Sequence, residues 1–148
     1  MTRLILVALA LLAAGGAGYI RLAPSDLARW HVSPRLAALE KGGPPGEIVT
    51  VRGGAAVQLA LPDPAAALAR LDAIAMASPR TRRLAGSPAE GRITWISRSR
   101  LWGFPDYTTA EVTPGGLVIH ARQRFGSDDW GVNAARLQDW LAQLSLAS

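Results

Sequence analysis

Three carboxylates and an amide, Asp106, Asp128, Asp129 and Asn133, come nearest in this sequence to a set of side chains that could do chemistry. Such a set could hold a hard cation or activate water, which is the chemistry of a hydrolase or a metal-assisted enzyme. A calcium-type site needs about six to eight oxygen ligands, and Asp106 and Asn133 are the only candidates to join the Asp pair. Capping of a following helix asks much less of the same residues. His31 falls before the main body of the chain and His120 stands alone on a strand, so no Ser/His/Asp arrangement can be built. With no cysteine there is no disulfide, thiolate nucleophile, lipoprotein attachment site or Cys-ligated metal. The reading assigns no catalytic residue, no metal and no cofactor, and keeps the enzyme centred on Asp106, Asp128 and Asp129 as an alternative.

Arg98, Tyr107, Arg122 and Arg124 form the second group, and strands must position them. Residues 92–99, 107–113 and 116–125 read as β-segments joined by the turn-like LWGF and TPGG. If both turns are tight, Val112 lies opposite Leu117 and Ile93, and Ala110 lies opposite Ile119 and Trp95. Period-2 alternation then gathers Ile93, Trp95, Ala110, Val112, Leu117, Ile119, Ala121 and Phe125 on a core face. The opposite face carries Thr94, Ile96, Thr109 and His120 along with the Arg/Tyr group, and Glu111 is its only acid. Guanidinium groups gathered on one face repel unless something negative answers them, and Tyr107 can stack between Arg98 and Arg122. An anion, whether a small molecule, a lipid head group or an envelope protein, would complete the balance. The plainer alternative is a solvated face with Arg stems lying over Ile96 and Tyr107, or a face covered by the first hairpin.

The same register places Asp106 between Ser99 and Gln123, where the chain leaves the sheet for a last amphipathic helix over about 132–146. Leu137, Trp140, Leu141 and Leu144 share one stripe of that helix. Ser99, Asp106, Gln123, Asp129 and Asn133 are therefore expected as one structural polar cluster under the helix start, where the dipole favours a carboxylate. Trp102, in the LWGF turn, is expected to fold back on the core, with exposure toward a membrane or partner as the alternative.

Upstream, Asp63-Pro64 opens a helix to about Ser78 with Leu68, Leu71 and Ala75 on one face, and Gly53-Gly54 joins two short β-runs as a hairpin. Ser25 and Ser33-Pro34 are helix-start signals, and GGPPG from Gly42 reads as a linker, so the folded domain is expected to begin near Glu47. Residues 4–20 carry no charge and lie between Arg3 and Arg21. This run is a membrane anchor or a cleaved signal peptide, with the rest exported to the periplasmic side in either case. The anchor, with the amino terminus inside, is the preferred form. The formal charge of +5 favours anionic partners, and export removes nucleic acid from among them.

RSRLWGFPD at 98–106, followed by RFGSDDWGVNAAR at 124–136, resembles the paired signatures of the domain of unknown function 1499 family. The likeness runs over about 47–146. In the family pattern Gly-x-Ser-Asp-x-Gly-x-Asn, Gly126, Asp129, Gly131 and Asn133 match; Asp128 takes the place of the usual Ser, and Tyr107 that of a second acid after Asp106. The resemblance implies an exported or membrane-anchored bacterial domain and brings no established activity. The whole reads as an α+β domain: an antiparallel sheet with two main helices packed on one face, preceded by a transmembrane or signal-anchor helix. Its expected function is non-enzymatic binding of an anionic ligand or partner in the cell envelope, and a purely structural place in an envelope complex is a further alternative.

Overall fold

The structure, a computed structural model, describes residues 1–35, 37 and 43–146. Helix α1, Thr2–Leu22, is the apolar run. At 1.5 Å per residue it is about 31 Å long, close to the thickness of a bilayer's hydrocarbon core. It is long and apolar enough to cross a membrane or to serve as a signal sequence. A single turn, α2 (Leu27–Trp30), follows, with the Asp26 carboxylate accepting from the Ala28 N–H at 3.0 Å. The helix expected after Ser33-Pro34 and the Gly42 start of the linker fall largely outside the described residues.

Six strands, β1 (Val49–Val51), β2 (Gly54–Ala60), β3 (Thr81–Ser87), β4 (Arg92–Arg98), β5 (Pro105–Thr113) and β6 (Gly116–Gln123), form one antiparallel sheet in the order β1-β2-β6-β5-β4-β3. Helix α3, Pro64–Ala77, carries the chain from β2 to the edge strand β3, and α4, Val132–Leu146, closes the fold. Both helices pack on one sheet face. Leu68, Leu71 and Ala75 of α3 and Leu137 and Trp140 of α4 share a buried cluster with Ile93, Trp95, Ala110, Leu117 and Ile119. Trp95 and Trp140 meet edge to face at 5.6 Å; their indole N–H groups donate to Asp72 and Ser78, both at 2.8 Å, so neither buried indole lacks a partner. Asp63 caps α3 by accepting from the Ala66 N–H at 2.9 Å, ahead of Pro64 in the first turn. Asp63→Ala is expected to lower stability by about 1 kcal/mol, read as a small drop in thermal midpoint.

Strands β5 and β6 pair in the expected register, Val112 with Leu117 and Ala110 with Ile119. Between β4 and β5 the register is shifted by two residues: Ile93 faces Ala110 and Trp95 faces Thr108. The cause is the connection between Arg98 and Pro105, a six-residue loop rather than a tight turn. A two-residue shift preserves parity, so the core face keeps Ile93, Trp95, Ala110, Val112, Leu117, Ile119 and Ala121; Phe125, expected with them, lies beyond the end of β6 at Gln123 and turns its ring to Tyr19 and Phe104 instead. The shift does replace Ser99 by Ser97 opposite Asp106.

The other face is not open. Residues 23–35 lie across it as a strap, although the expected boundary near Glu47 leaves them outside the domain. Trp30 stacks on Tyr107 with ring centroids 3.9 Å apart, and together with Ile96 they form a small buried cluster. His31 Nδ1 lies 2.9 Å from Thr94 Oγ1, the Thr109 hydroxyl donates to the Trp30 carbonyl, and Glu111 pairs with Arg35 and Arg92. Neither solvent nor the first hairpin covers the face; the segment after α1 does.

Candidate functional site

One end of the sheet gathers the chain's distinctive residues. Strands β4 and β6 finish there, β2, β3 and β5 begin there, and the loops 99–104 and 124–131 fold over it. The last turn of α1 arrives at the same place. Arg21 Nη2 donates to the Leu101 carbonyl at 3.4 Å, and the Tyr19 ring lies 6.4 Å from that of Phe125.

Ser99, Asp106, Gln123 and Asp129 line one cavity of about 240 Å³ at this end, walled by Phe104, Phe125 and Trp130. Asp129 starts α4, its two oxygens accepting from the N–H groups of Gly131 and Asn133 at 3.2 and 3.0 Å. Gly126 and Gly131, at φ +99° and +78°, take turn conformations that side chains resist. Asn133 is fully buried; its Oδ1 accepts from Arg136, whose other terminal nitrogen donates to Asp106 at 3.2 Å. Burial raises the Asp106 carboxyl above its ordinary range against the pull of Arg136. Burial also pushes Asp129 upward, but the N–H donors of Asn133 and Gly131 prevail and hold it below the ordinary range. Asp128 accepts from the Trp130 N–H at 2.9 Å. The three carboxylates thus have three separate engagements, and among the described residues no cluster of three His, Asp or Glu is placed to hold a metal.

Of the arginine group, Arg122 and Arg124 lie under the strap, and each gives one terminal nitrogen to its carbonyls. Arg122 Nη2 donates to the Trp30 carbonyl at 2.7 Å, while Arg124 Nη1 reaches the Pro24 carbonyl at 2.9 Å and the Tyr107 hydroxyl at 3.1 Å. Tyr107 is fully buried, its hydroxyl also 2.7 Å from Ser25 Oγ. The backbone carbonyls of the strap thus sit where an external anion was expected to meet these three residues.

Arg98 points elsewhere. With Arg21, Arg80, Arg82 and Arg100 it lines a cavity of about 430 Å³ whose lining includes no acidic residue. Arg98 donates to the Gly103 carbonyl at 2.9 Å, and Arg80 Nε to the Arg98 carbonyl at 3.2 Å, so these two also shape the wall. Arg82 and Arg100 are exposed. None of the five has an ion pair among the described residues, where the ion pairs involve Arg35, Arg83, Arg92 and Arg136. A second basic cavity, of about 540 Å³, lies toward β2 and β6, with Arg29, Arg52 and Arg122 in its lining.

The sequence reading took Arg21 only as the flank of the apolar run and missed Arg80, Arg82 and Arg100, which belong to a turn, an unread strand and a loop. Only the topology joins them. Arg136 was within reach, three residues after Asn133 on the same helix face.

A family model described as protein of unknown function (DUF1499) matches residues 51–144. No curated protein and no solved structure gives a significant match.

Proposed function

We propose that this chain, which belongs to the DUF1499 family, is a membrane-anchored cell-envelope domain that binds a phosphate-bearing anion at the arginine-lined end of its sheet. One observation carries the reading: five arginines line a single cavity with no acidic residue in its lining, and one of them, Arg21, sits in the last turn of the apolar helix. Guanidinium forks match phosphate oxygens in pairs, and without a counter-charge the cavity is electrostatically incomplete. Its position beside α1 puts it where a span would meet water. A helix that continues unbroken to Leu22 and rests Tyr19 against Phe125 supports an anchor over a cleaved signal. A basic residue followed by an apolar run is the order of a secretory signal, and on that reading the amino terminus lies inside and the domain on the periplasmic side.

Arg98, the member of the original group that lines this cavity, is joined in binding by Arg21, Arg80, Arg82 and Arg100. Tyr107, Arg122 and Arg124 hold the strap instead. The anion is a lipid head group or a free phosphate compound, and the two sources separate in one experiment. The full chain in phosphatidylcholine nanodiscs is titrated with inorganic phosphate and glycerol phosphate; in parallel, lipid retention is read by native mass spectrometry from phosphatidylcholine/phosphatidylglycerol mixtures. Arg82→Ala with Arg100→Ala leaves the observed backbone bonds intact. At about 1.5–3 kcal/mol per charge-assisted contact, it is expected to weaken whichever ligand binds by at least about tenfold, while Arg70→Ala on the exposed side of α3 leaves binding unchanged. Equal binding by wild type and the double variant in both arms would overturn the reading.

A further inference from the structure

Two tryptophans at the same end of the sheet are turned toward solvent. Trp102, in the β4–β5 loop, is 55% exposed beside Leu101 at 74%, and Trp130, ahead of α4, is 91% exposed. The other three, Trp30, Trp95 and Trp140, are buried. Trp102 therefore does not fold back on the core as its turn suggested. Trp130 is also held at φ +49°, a left-handed conformation that a non-glycine residue rarely adopts. The Asp128 carboxylate fixes it there by accepting its N–H, and Asp129 fixes the next residue in the same way. An indole this exposed is unfavourable in water, and the turn holds it outward, where an apolar surface would cover it.

The chain itself indicates which surface that is. Helix α1 ends at Leu22 and Ala23 is already buried in the domain, so no tether separates the two. Arg21 bonds the Leu101 carbonyl, which sets the loop of Trp102 beside the last turn of α1; Tyr19 meets Phe125 at the root of the loop that carries Trp130. Where α1 spans a bilayer, these loops lie at head-group depth. Indole rings favour that depth because their apolar body and N–H find partners together. The exposed arginines around the neighbouring cavity face lipid phosphates from the same position.

We infer that Trp102 and Trp130 insert into the membrane interface, so that the bilayer itself covers this end of the sheet and fixes the domain upright on its anchor. The inference rests on the anchored reading of α1 and adds a second, independent contact. It is tested with the full chain in phosphatidylcholine/phosphatidylglycerol vesicles with brominated acyl chains, since the buried tryptophans leave Trp102 and Trp130 as the accessible reporters. The wild type is expected to be quenched by the brominated lipid and shielded from aqueous acrylamide. Trp102→Ser with Trp130→Ser is expected to lose most of the lipid quenching while keeping its thermal midpoint. Carbonate extraction and intact mass report the anchor separately. A chain that keeps residues 1–22 and stays in the membrane, yet shows acrylamide quenching without lipid quenching, overturns the docking and leaves the anchor standing. Rings shielded from both quenchers point to a second copy or another protein as the cover and equally overturn it. A chain that leaves the membrane, or has lost the helix, overturns both readings.

Discussion

Trp30→Ala is expected to destabilise the folded domain by about 3–5 kcal/mol, the usual cost of truncating a large buried aromatic. For a domain of this size that lowers the thermal midpoint by roughly 10–20 °C. The ring is 5% exposed and stacks on Tyr107, while Ile96 and Leu84 pack around the pair. Removing it opens a cavity above a fully buried tyrosine whose hydroxyl is 2.7 Å from Ser25 Oγ and accepts from Arg124. The residue's backbone takes part as well: its carbonyl accepts from both Arg122 and Thr109. Those bonds survive the substitution only while the strap stays in place, so partial release of residues 23–35 adds to the cavity cost. Thermal unfolding of the full chain, followed by near-ultraviolet circular dichroism, reads the effect. A midpoint unchanged from wild type would mean that the strap is a passive tether and that the domain stands without it. Trp30→Phe keeps a stacking ring and is expected to recover much of the loss.

The strap also shows where the sequence stops being legible. Its apolar residues, Ala23, Leu27, Ala28, Trp30 and Val32, are broken up by prolines, serines, charges and one helical turn, and of these five only Ala23 and Trp30 are buried, so no sustained period marks it as part of a core. The sheet was more readable because alternation fixes parity: the two-residue error between β4 and β5 moved partners without moving faces. Strand β3 broke that rule. A bulge between Arg83 and Ala85 and a left-handed Gly86 interrupt its alternation, and exposed Arg82 and Arg83 disguise an edge strand as a loop. The arginine cavity depended on β3, and so could not be drawn before that strand was placed. Asp106, Gln123, Asp129 and Asn133 were easier to place because they sit at the start of β5, the end of β6 and the start of α4, all strongly signalled. Ser99 reached the polar cluster through a loop, where its Oγ accepts from the Phe104 N–H at 2.9 Å.

Stability is expected to fall as the pH drops from about 6.5 toward about 4, and His120 is the main cause. Burial first, and the adjacent Arg122 second, lower its imidazole from the ordinary 6.5 to about 4. The geometry explains the direction. Arg122 Nη1 lies 3.1 Å from His120 Nδ1, and a guanidinium can only donate, so Nδ1 accepts and the ring is neutral with its proton on Nε2. Protonating Nδ1 would replace that hydrogen bond by two cations in contact. Below pH 6.5 the unfolded chain takes up a proton that the folded chain refuses until about pH 4, so the folded state loses free energy across that window. The full loss is on the order of 3 kcal/mol. His31, lowered by burial and then by Arg92, acts in the same sense. Glu111 and Asp129, both held below their ordinary range, lose their contributions only at lower pH, while Asp106, raised by burial, opposes the trend as it protonates. His120→Asn removes the titration and is expected to flatten most of the slope in urea unfolding measured between pH 7 and 4.5, whereas His31→Gln removes a smaller part. A slope unchanged in His120→Asn would place the acid sensitivity elsewhere, and a wild type equally stable at both ends of the window would deny that the ring is held neutral at all.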